Sequence, residues 1–181
     1  MKRFKAPDGA IYSLNHLQPY SRTVEIRVGG VTYLVPLLFI FQDHCYTREL
    51  KHESDEPWLI SERHGQRRVF CPDRWTFSHG LPALIEAMIP KGDCYRTTEK
   101  PRYFRVQRNN PRDYTDDAGW YIFFRFNKDR KKPGVVMSIE SVHSRPNWPA
   151  NARGRQVTRF GKALADFIKA REDLLRKLEQ K

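Results

Sequence analysis

The sequence lacks the motifs that mark several large enzyme classes. It has no glycine-rich phosphate-binding loop, no histidine and cysteine spacing typical of a zinc site, and no nucleophile elbow. Its acidic residues do not cluster on neighbouring predicted strands, which argues against a zinc or two-magnesium nuclease. We therefore expect neither a metal site nor a cofactor, and the sequence indicates a class of partner more firmly than a reaction.

Cysteine is also scarce, and long hydrophobic runs are absent. Cys45, Cys71 and Cys94 are an odd number without close pairs, and no apolar signal segment precedes the first charged residues. Both features favour a reducing cytoplasm over secretion. The longest apolar run, residues 34–41, contains a proline and falls well short of the roughly 20 residues that a membrane-spanning helix needs. We expect a soluble cytoplasmic protein with no membrane contact.

Positive charge is present in excess, and the excess is uneven. The formal net charge is +12 in 181 residues, and 13% aromatic residues indicate a globular protein rather than a disordered one. Residues 1–91 contain 12 Lys and Arg against 10 Asp and Glu, whereas residues 92–181 contain 21 against 11. This uneven positive charge favours a polyanionic partner, RNA more than DNA. A basic surface can also serve solubility alone.

Hydrophobic periodicity predicts a single α+β domain of 181 residues built on an antiparallel sheet, with one candidate boundary near residues 90–93. Residues 23–28 and 31–41 predict an N-terminal hairpin, because Gly29-Gly30 permits the positive φ angles of a two-residue turn. The second strand of this hairpin carries apolar residues at both odd and even positions, so we expect it to be covered on both faces.

Further along the chain the pattern predicts a second hairpin, two helices and a three-stranded meander. Residues 78–89 predict a mid-chain helix with Pro82 in its first turn. An apolar stripe predicts a long C-terminal helix over residues 159–180. On the last meander strand, alternate residues from Val135 onward form a predicted buried row, and Ser141 and His143 lie on the same face as this row. The remaining strands are predicted at residues 58–63, 67–70, 103–108, 120–126 and 135–143.

The exit of the apolar strand, residues 42–49, is the first candidate site. If the backbone stays extended there, His44, Tyr46 and Arg48 share one face, whereas Cys45 continues the buried row as a core cysteine. An imidazole or phenol can move the proton of a ribose 2′-hydroxyl, and a guanidinium can hold the phosphate. The simpler interpretation is that the histidine and the arginine only cap the strand end.

A second polar group follows the last meander strand. A metal-free ribonuclease needs two proton movers and cations for the phosphate. We therefore predict His44 and His143 as the proton movers, with Arg48 and Arg145 as phosphate clamps. The sequence does not show that these residues meet.

Cations interleaved with aromatic residues predict an RNA-binding surface in the second half of the chain. Exposed aromatic rings beside cations can stack unpaired bases. The predicted binding residues are Arg102, Arg105, Arg108, Arg125, Arg130, Lys131, Arg145, Trp148, Arg153 and Arg155.

Two short segments carry a family resemblance. Residues 44–48 (HCYTR) and 74–82 (RWTFSHGLP) resemble signatures of a small family of bacterial and prophage-type proteins. The strand order, the strand-end histidine and arginine and the basic C-terminal half are also similar to RelE/barnase-like ribonuclease toxins. That resemblance implies a metal-independent endoribonuclease with an acidic protein partner such as an antitoxin. Two alternatives stay open, namely a non-catalytic nucleic-acid-binding module or accessory protein, and a phage-borne protein-interaction factor.

Overall fold

The computed structural model describes residues 3–28, 30–63, 65–89, 92–96, 102–106, 119–130, 134–145, 157–171 and 176. Within these residues the protein contains strands and helices, with three sheets, and the predicted α+β class is confirmed. The strands are β1 (Arg3–Lys5), β2 (Ile11–Ser13), β3 (Tyr20–Val28), β4 (Val31–Phe41), β5 (Thr47–Glu49), β6 (Leu59–Arg63), β7 (Gln66–Phe70), β8 (Asp93–Arg96), β9 (Arg102–Val106), β10 (Gly119–Lys128), β11 (Val135–Arg145) and β12 (Val157–Arg159). The helices are α1 (Pro72–Ser78), α2 (Leu81–Met88) and α3 (Phe160–Lys169).

The largest sheet has seven strands in the order β12-β8-β9-β10-β11-β4-β3. The predicted hairpin is present as β3 and β4, with Gly30 at φ +87° in the turn, and the predicted meander is present as β9, β10 and β11. These two units join through a parallel pair, in which Val135 of β11 lies opposite Leu37 of β4. The sheet is therefore mixed, whereas the sequence predicted purely antiparallel pairing.

The main core lies on one face of this sheet and is covered by α2 and α3. Val35, Leu37 and Phe39 of β4 are fully buried there, because alternate side chains of a strand point to the same face. Burial of the opposite face is incomplete, since Leu34 is 65% exposed. The prediction that β4 is covered on both faces was wrong at Leu34.

A β-bulge changes which side chains of β11 are buried. Phe123 of β10 lies opposite Ser141, but the next residue of β10 lies opposite Ile139, so Glu140 is the extra residue. A bulge shifts the alternation of faces by one position. Val142 is consequently fully buried, and Ser141 lies outside the core row. The predicted alignment of Ser141 with the buried row from Val135 was therefore wrong.

A three-stranded sheet of order β5-β7-β6 packs beside the large one and contains the predicted second hairpin, whose turn has Gly65 at φ +75°. The β1–β2 hairpin, which the sequence did not predict, covers this sheet through aromatic contacts. Phe4 and Tyr12 each lie 4.6 Å from Phe70, measured between ring centroids. Burying several aromatic rings together gives this small sheet its own hydrophobic cluster.

The mid-chain helical region is two helices rather than one. α2 begins at Leu81 rather than at Ser78, its first turn contains Pro82 as predicted, and Leu81 and Ile85 are fully buried. α1 precedes it and also has a proline in its first turn, Pro72, where the missing N–H costs little.

The predicted long C-terminal helix is not shown. α3 ends at Lys169, and residues 172–175 and 177–181 lie outside the described residues. Phe160, Leu164 and Ile168 form its buried side, in agreement with the predicted amphipathic pattern. Among the described residues, no helix is both long and apolar enough to cross a membrane.

Candidate functional site

A tight turn, not an extended segment, follows the apolar strand β4. Asp43–Cys45 is a single turn of 3-10 helix, in which the Tyr46 N–H donates to the Asp43 carbonyl at 3.0 Å. The Gln42 N–H and the Cys45 thiol both donate to the Ile139 carbonyl of β11, at 2.9 and 3.5 Å. The turn is thus fixed against the strand that carries the bulge.

This turn separates Tyr46 from His44 and Arg48, the two residues that the sequence placed on the same face with it. His44 remains 40% exposed at its side chain, whereas Tyr46 is partly buried and packs against the main core. Cys45 is fully buried, as predicted, and burial raises the pKa of its thiol far above the ordinary value, so it is not a nucleophile at neutral pH. The expectation that Tyr46 accompanies His44 and Arg48 was wrong, because a 3-10 turn does not keep strand alternation.

A groove of about 360 Å³ lies between the small sheet, α1 and the bulged part of β11. Its volume falls in the range of small-ligand sites. Four of its side chains are cations, and one is the imidazole that the sequence singled out. The groove is lined by His44, Arg48, Glu49, Lys51, Arg68, Arg74 and Ser141.

Arg68 and Arg74 are held in this groove by uncharged oxygens. Arg68 Nε donates to Thr47 Oγ1 at 2.8 Å, and its Nη2 donates to the Thr47 carbonyl at 3.0 Å. Arg74 Nη1 donates to the same carbonyl at 2.7 Å and to that of His44 at 3.2 Å. Within the described part of the chain, neither guanidinium forms an ion pair. No carboxylate of the described residues therefore offsets either positive charge by direct contact.

Burial lowers the pKa of both guanidiniums. For Arg68 the desolvation outweighs the opposite influence of Asp43 and Glu49. For Arg74 it is reinforced by the positive charge of Arg68. Both arginines remain charged at neutral pH, because even a lowered arginine pKa lies far above 7. Removing the two guanidiniums from water costs free energy, and an anion that binds them offsets part of that cost. The site is therefore favourable for an anion.

Arg48 has a different environment. Its Nη1 and Nη2 donate to the two carboxylate oxygens of Asp55 at 2.7 and 2.6 Å, which is the two-point geometry of a strong ion pair. Asp55 also accepts the backbone N–H groups of Lys51 and His52. The Arg48 hydrogen bond is the main reason that the pKa of Asp55 lies well below its usual range. The predicted phosphate clamp thus lines the groove but already holds a carboxylate.

The imidazole of His44 is neutral at pH 7. Burial lowers its pKa, and the positive charge of Arg68 lowers it further, while Asp43 acts in the opposite direction. The His44 Nε2 lies 3.7 Å from Asp43 Oδ1, and Asp43 Oδ2 accepts a hydrogen bond from Ser61 at 3.4 Å. A neutral ring beside cations can accept a proton, which is the chemistry that a general base requires.

The other predicted catalytic residues lie on β11. The backbone of His143 pairs with Tyr121 and that of Arg145 with Gly119, but their side chains lie outside the described residues. The structure brings Ser141, two positions before His143, to the groove.

Half of the ten predicted RNA-binding residues lie outside the described part of the chain. Arg125 of β10 and Arg130 are described, and both are exposed. Of Arg102 and Arg105 only the backbone of β9 is described. Arg108, Lys131, Trp148, Arg153 and Arg155 are not described.

Sequence reasoning missed Arg68, Arg74 and Lys51 as site residues. A signal existed for Arg74, because it opens the RWTFSHGLP segment. Arg68 lies in a strand with weak alternation, and nothing local distinguishes it from Arg67. No group of three or more potential metal ligands occurs among the described residues.

The rest of the RWTFSHGLP segment builds structure. His16 Nε2 lies 2.7 Å from Ser78 Oγ, and that hydroxyl donates to the Trp75 carbonyl at 2.7 Å. The rings of His16 and His79 stack with centroids 3.9 Å apart. Trp75 Nε1 donates to the Ser13 carbonyl at 2.9 Å. These contacts fasten β2 and the turn after it to α1, the helix that carries Arg74.

A protein-family model described as the YjaZ family matches residues 3–168 of the chain. The chain belongs to the YjaZ family. The match includes every described residue that lines the groove, so the site lies inside the YjaZ region rather than in an appended segment. No curated protein and no solved structure shows a significant match to the chain.

Proposed function

We propose that this YjaZ-family protein acts on RNA in the cytoplasm and holds the phosphate backbone in the groove. The observation that carries the proposal is the meeting of one neutral imidazole with four cations in a single groove. Guanidiniums suit phosphate oxygens because their donors form a planar fork.

The proposed reaction is metal-independent cleavage. His44 takes the proton of a ribose 2′-hydroxyl, the 2′-oxygen bonds to phosphorus, and the bond from phosphorus to the 5′-oxygen breaks. The leaving 5′-oxygen takes a proton from a second group, for which His143 stays our prediction. The cations that line the groove stabilise the negative charge that develops on the phosphate oxygens. The products carry a 2′,3′-cyclic phosphate and a 5′-hydroxyl end.

The test is incubation of the purified protein with single-stranded RNA and with DNA of the same sequence in EDTA. We expect cleavage of the RNA alone, with 2′,3′-cyclic ends. His44→Asn should lower the cleavage rate by roughly the 10²–10⁴-fold of a lost acid or base. His52→Asn is the matched control, because His52 is exposed and lies at the N-cap of the 3-10 helix Glu53–Trp58, a position that asparagine also favours. Cleavage that EDTA abolishes, or equal rates for the two variants, would reject His44 as the base.

A non-catalytic RNA-binding role is the second candidate, and one observation favours it. Arg48 gives both terminal nitrogens to Asp55, so one of the predicted clamps is occupied by a carboxylate within the protein itself. In that case RNA binds without being cut, and affinity falls steeply with salt because phosphates release their counterions. A protein that binds an acidic partner such as an antitoxin instead of RNA should show no RNA binding, even at low salt. That result distinguishes this role from the other two.

A further inference from the structure

The strongest unassigned feature of the groove is the convergence of two arginines on one point. Arg68 Nη2 and Arg74 Nη1 both lie within 3.0 Å of the Thr47 carbonyl oxygen. Two like charges this close repel each other, and the hydrogen bonds that hold them go to neutral oxygens only. Asp43 and Glu49 act on Arg68 from nearby, but desolvation outweighs them, so an anion bound between the two guanidiniums would stabilise the pair further.

Each guanidinium keeps an unused donor edge. Arg68 spends its Nε and Nη2 on Thr47, and Arg74 spends its Nη1 on two carbonyls. Among the described residues, no hydrogen bond or ion pair engages Arg68 Nη1, Arg74 Nε or Arg74 Nη2. Both donor edges belong to guanidiniums that meet at the Thr47 carbonyl. Each edge can engage two oxygens, so the two edges together suit an anion with more than two acceptor oxygens.

A phosphate monoester matches this donor set more fully than an internal phosphodiester does. The monoester offers three terminal oxygens and about −1.5 to −2 charges at pH 7. An internal diester offers two terminal oxygens and a single charge.

We propose that Arg68 and Arg74 form a subsite for the phosphorylated end of an RNA strand. This inference rests on the proposed function, since it names the part of the RNA that the same groove recognises. Arg48 is not part of the subsite, because Asp55 occupies its terminal nitrogens.

The test uses a short single-stranded RNA with 2′-O-methyl riboses, which the proposed reaction cannot cut. It is prepared with a 5′-phosphate, with a 3′-phosphate, or with hydroxyl groups at both ends, and dissociation constants are measured by fluorescence anisotropy in EDTA at fixed salt. We expect at least one phosphorylated form to bind about tenfold more tightly than the hydroxyl form, as charge-assisted hydrogen bonds predict. Inorganic phosphate should compete with that form.

Arg68→Gln should abolish this preference. Arg67→Gln is the matched control, because Arg67 neighbours Arg68 on β7 but pairs with Glu56 and Glu62 outside the groove. Circular dichroism and thermal unfolding of both variants verify that they are folded. Arg68→Lys gives a second test, since it keeps the charge, loses the fork and should retain only part of the preference.

The outcomes separate the two proposals. If all three RNAs bind equally and Arg68→Gln weakens them equally, the groove holds internal phosphates, and the end subsite is overturned while the proposed function stands. If the two glutamine variants behave alike, Arg68 is not in the subsite, and the inference is also overturned. If no RNA binds but a phosphorylated peptide does, both the proposed function and the assignment to an RNA end are overturned.

Discussion

At the scale of single residues, the arginines of the groove fall into two groups. Arg48 meets a carboxylate in a two-point ion pair, whereas Arg68 and Arg74 meet carbonyl and hydroxyl oxygens. An ion pair neutralises the charge, but a hydrogen bond to a carbonyl leaves it intact. Among the three arginines of the groove, Arg68 and Arg74 are therefore the two whose charge is left for an anion.

The protonation of His44 gives the first pH prediction. Its pKa is lowered by burial and by Arg68, so the ring loses its proton below the ordinary value of 6.5. A general base works only in the deprotonated form, so the cleavage rate should rise with pH through a midpoint below 6.5 and be level at neutral pH. Measuring the rate against pH, together with the NMR titration of His44, checks this. A midpoint for His44 above 6.5 would contradict the prediction.

At the scale of elements, the turn Asp43–Cys45 and the bulge of β11 build the site together. The Ile139 carbonyl accepts hydrogen bonds from Gln42 and Cys45, and the bulge at Glu140 moves Ser141 out of the core row and to the groove. Bulges commonly redirect side chains beside functional sites. The groove thus forms where β4 leaves the large sheet.

Gly134 lies immediately before β11, and a substitution there tests how tightly β11 packs against β4. A Cβ at this position would lie 2.9 Å from the Pro36 carbonyl oxygen of β4. Gly134→Ala should therefore destabilise the protein by roughly 1–3 kcal/mol, the usual cost of overpacking.

The matched control for Gly134 is Gly161 in α3, where a Cβ would meet no atom within 4 Å. Gly161→Ala should stabilise the protein by roughly 0.5–1 kcal/mol, because alanine favours a helix. Urea unfolding of both variants measures the free energies. A Gly134→Ala protein as stable as the wild type would show that β4 and β11 are less closely packed than the 2.9 Å distance to the Pro36 carbonyl oxygen indicates.

At the scale of the whole molecule, the location of the groove differs from the location of the charge excess. Six of the seven lining residues lie between positions 44 and 74, and only Ser141 comes from the second half. The surplus of Lys and Arg lies in residues 92–181. Net charge acts over long distances and favours association with a polyanion, whereas local geometry selects the phosphate.

The stacked histidines give a prediction for the stability of the whole protein. Burial, and secondarily His79, lower the pKa of His16 to about 4. Between about pH 4 and 6.5 the unfolded chain binds a proton at His16 that the folded protein does not, so the free energy of unfolding should fall as the pH falls through this window. His44 acts in the same direction.

His16→Asn should flatten part of this pH dependence, because asparagine does not titrate. The measurement is urea unfolding at pH 7 and at pH 5 for the wild type and the variant. If His16→Asn loses as much stability as the wild type between these two pH values, His16 is not the group responsible.

The fold could be predicted in those parts where local sequence sets the structure. Glycine-containing turns and alternating apolar residues identified β3, β4, β6 and β7, and the helical stripe with Pro82 identified α2. His44 and Arg48 could be predicted as groove residues because they follow the most apolar strand, where a rigid element ends and polar groups are exposed.

The sequence by itself therefore determined the α+β class, the β3–β4 and β6–β7 hairpins, the buried Cys45 and the candidacy of His44. Only the tertiary structure decided that β11 runs parallel to β4, that the chain turns at Asp43, and that Arg68 and Arg74 meet at one carbonyl of Thr47. The physical reason is that periodicity reports the face on which a side chain lies but not which distant strand or helix packs against it. Contacts such as those of Arg74 join residues almost thirty positions apart, and they form only when the two sheets and α1 are assembled.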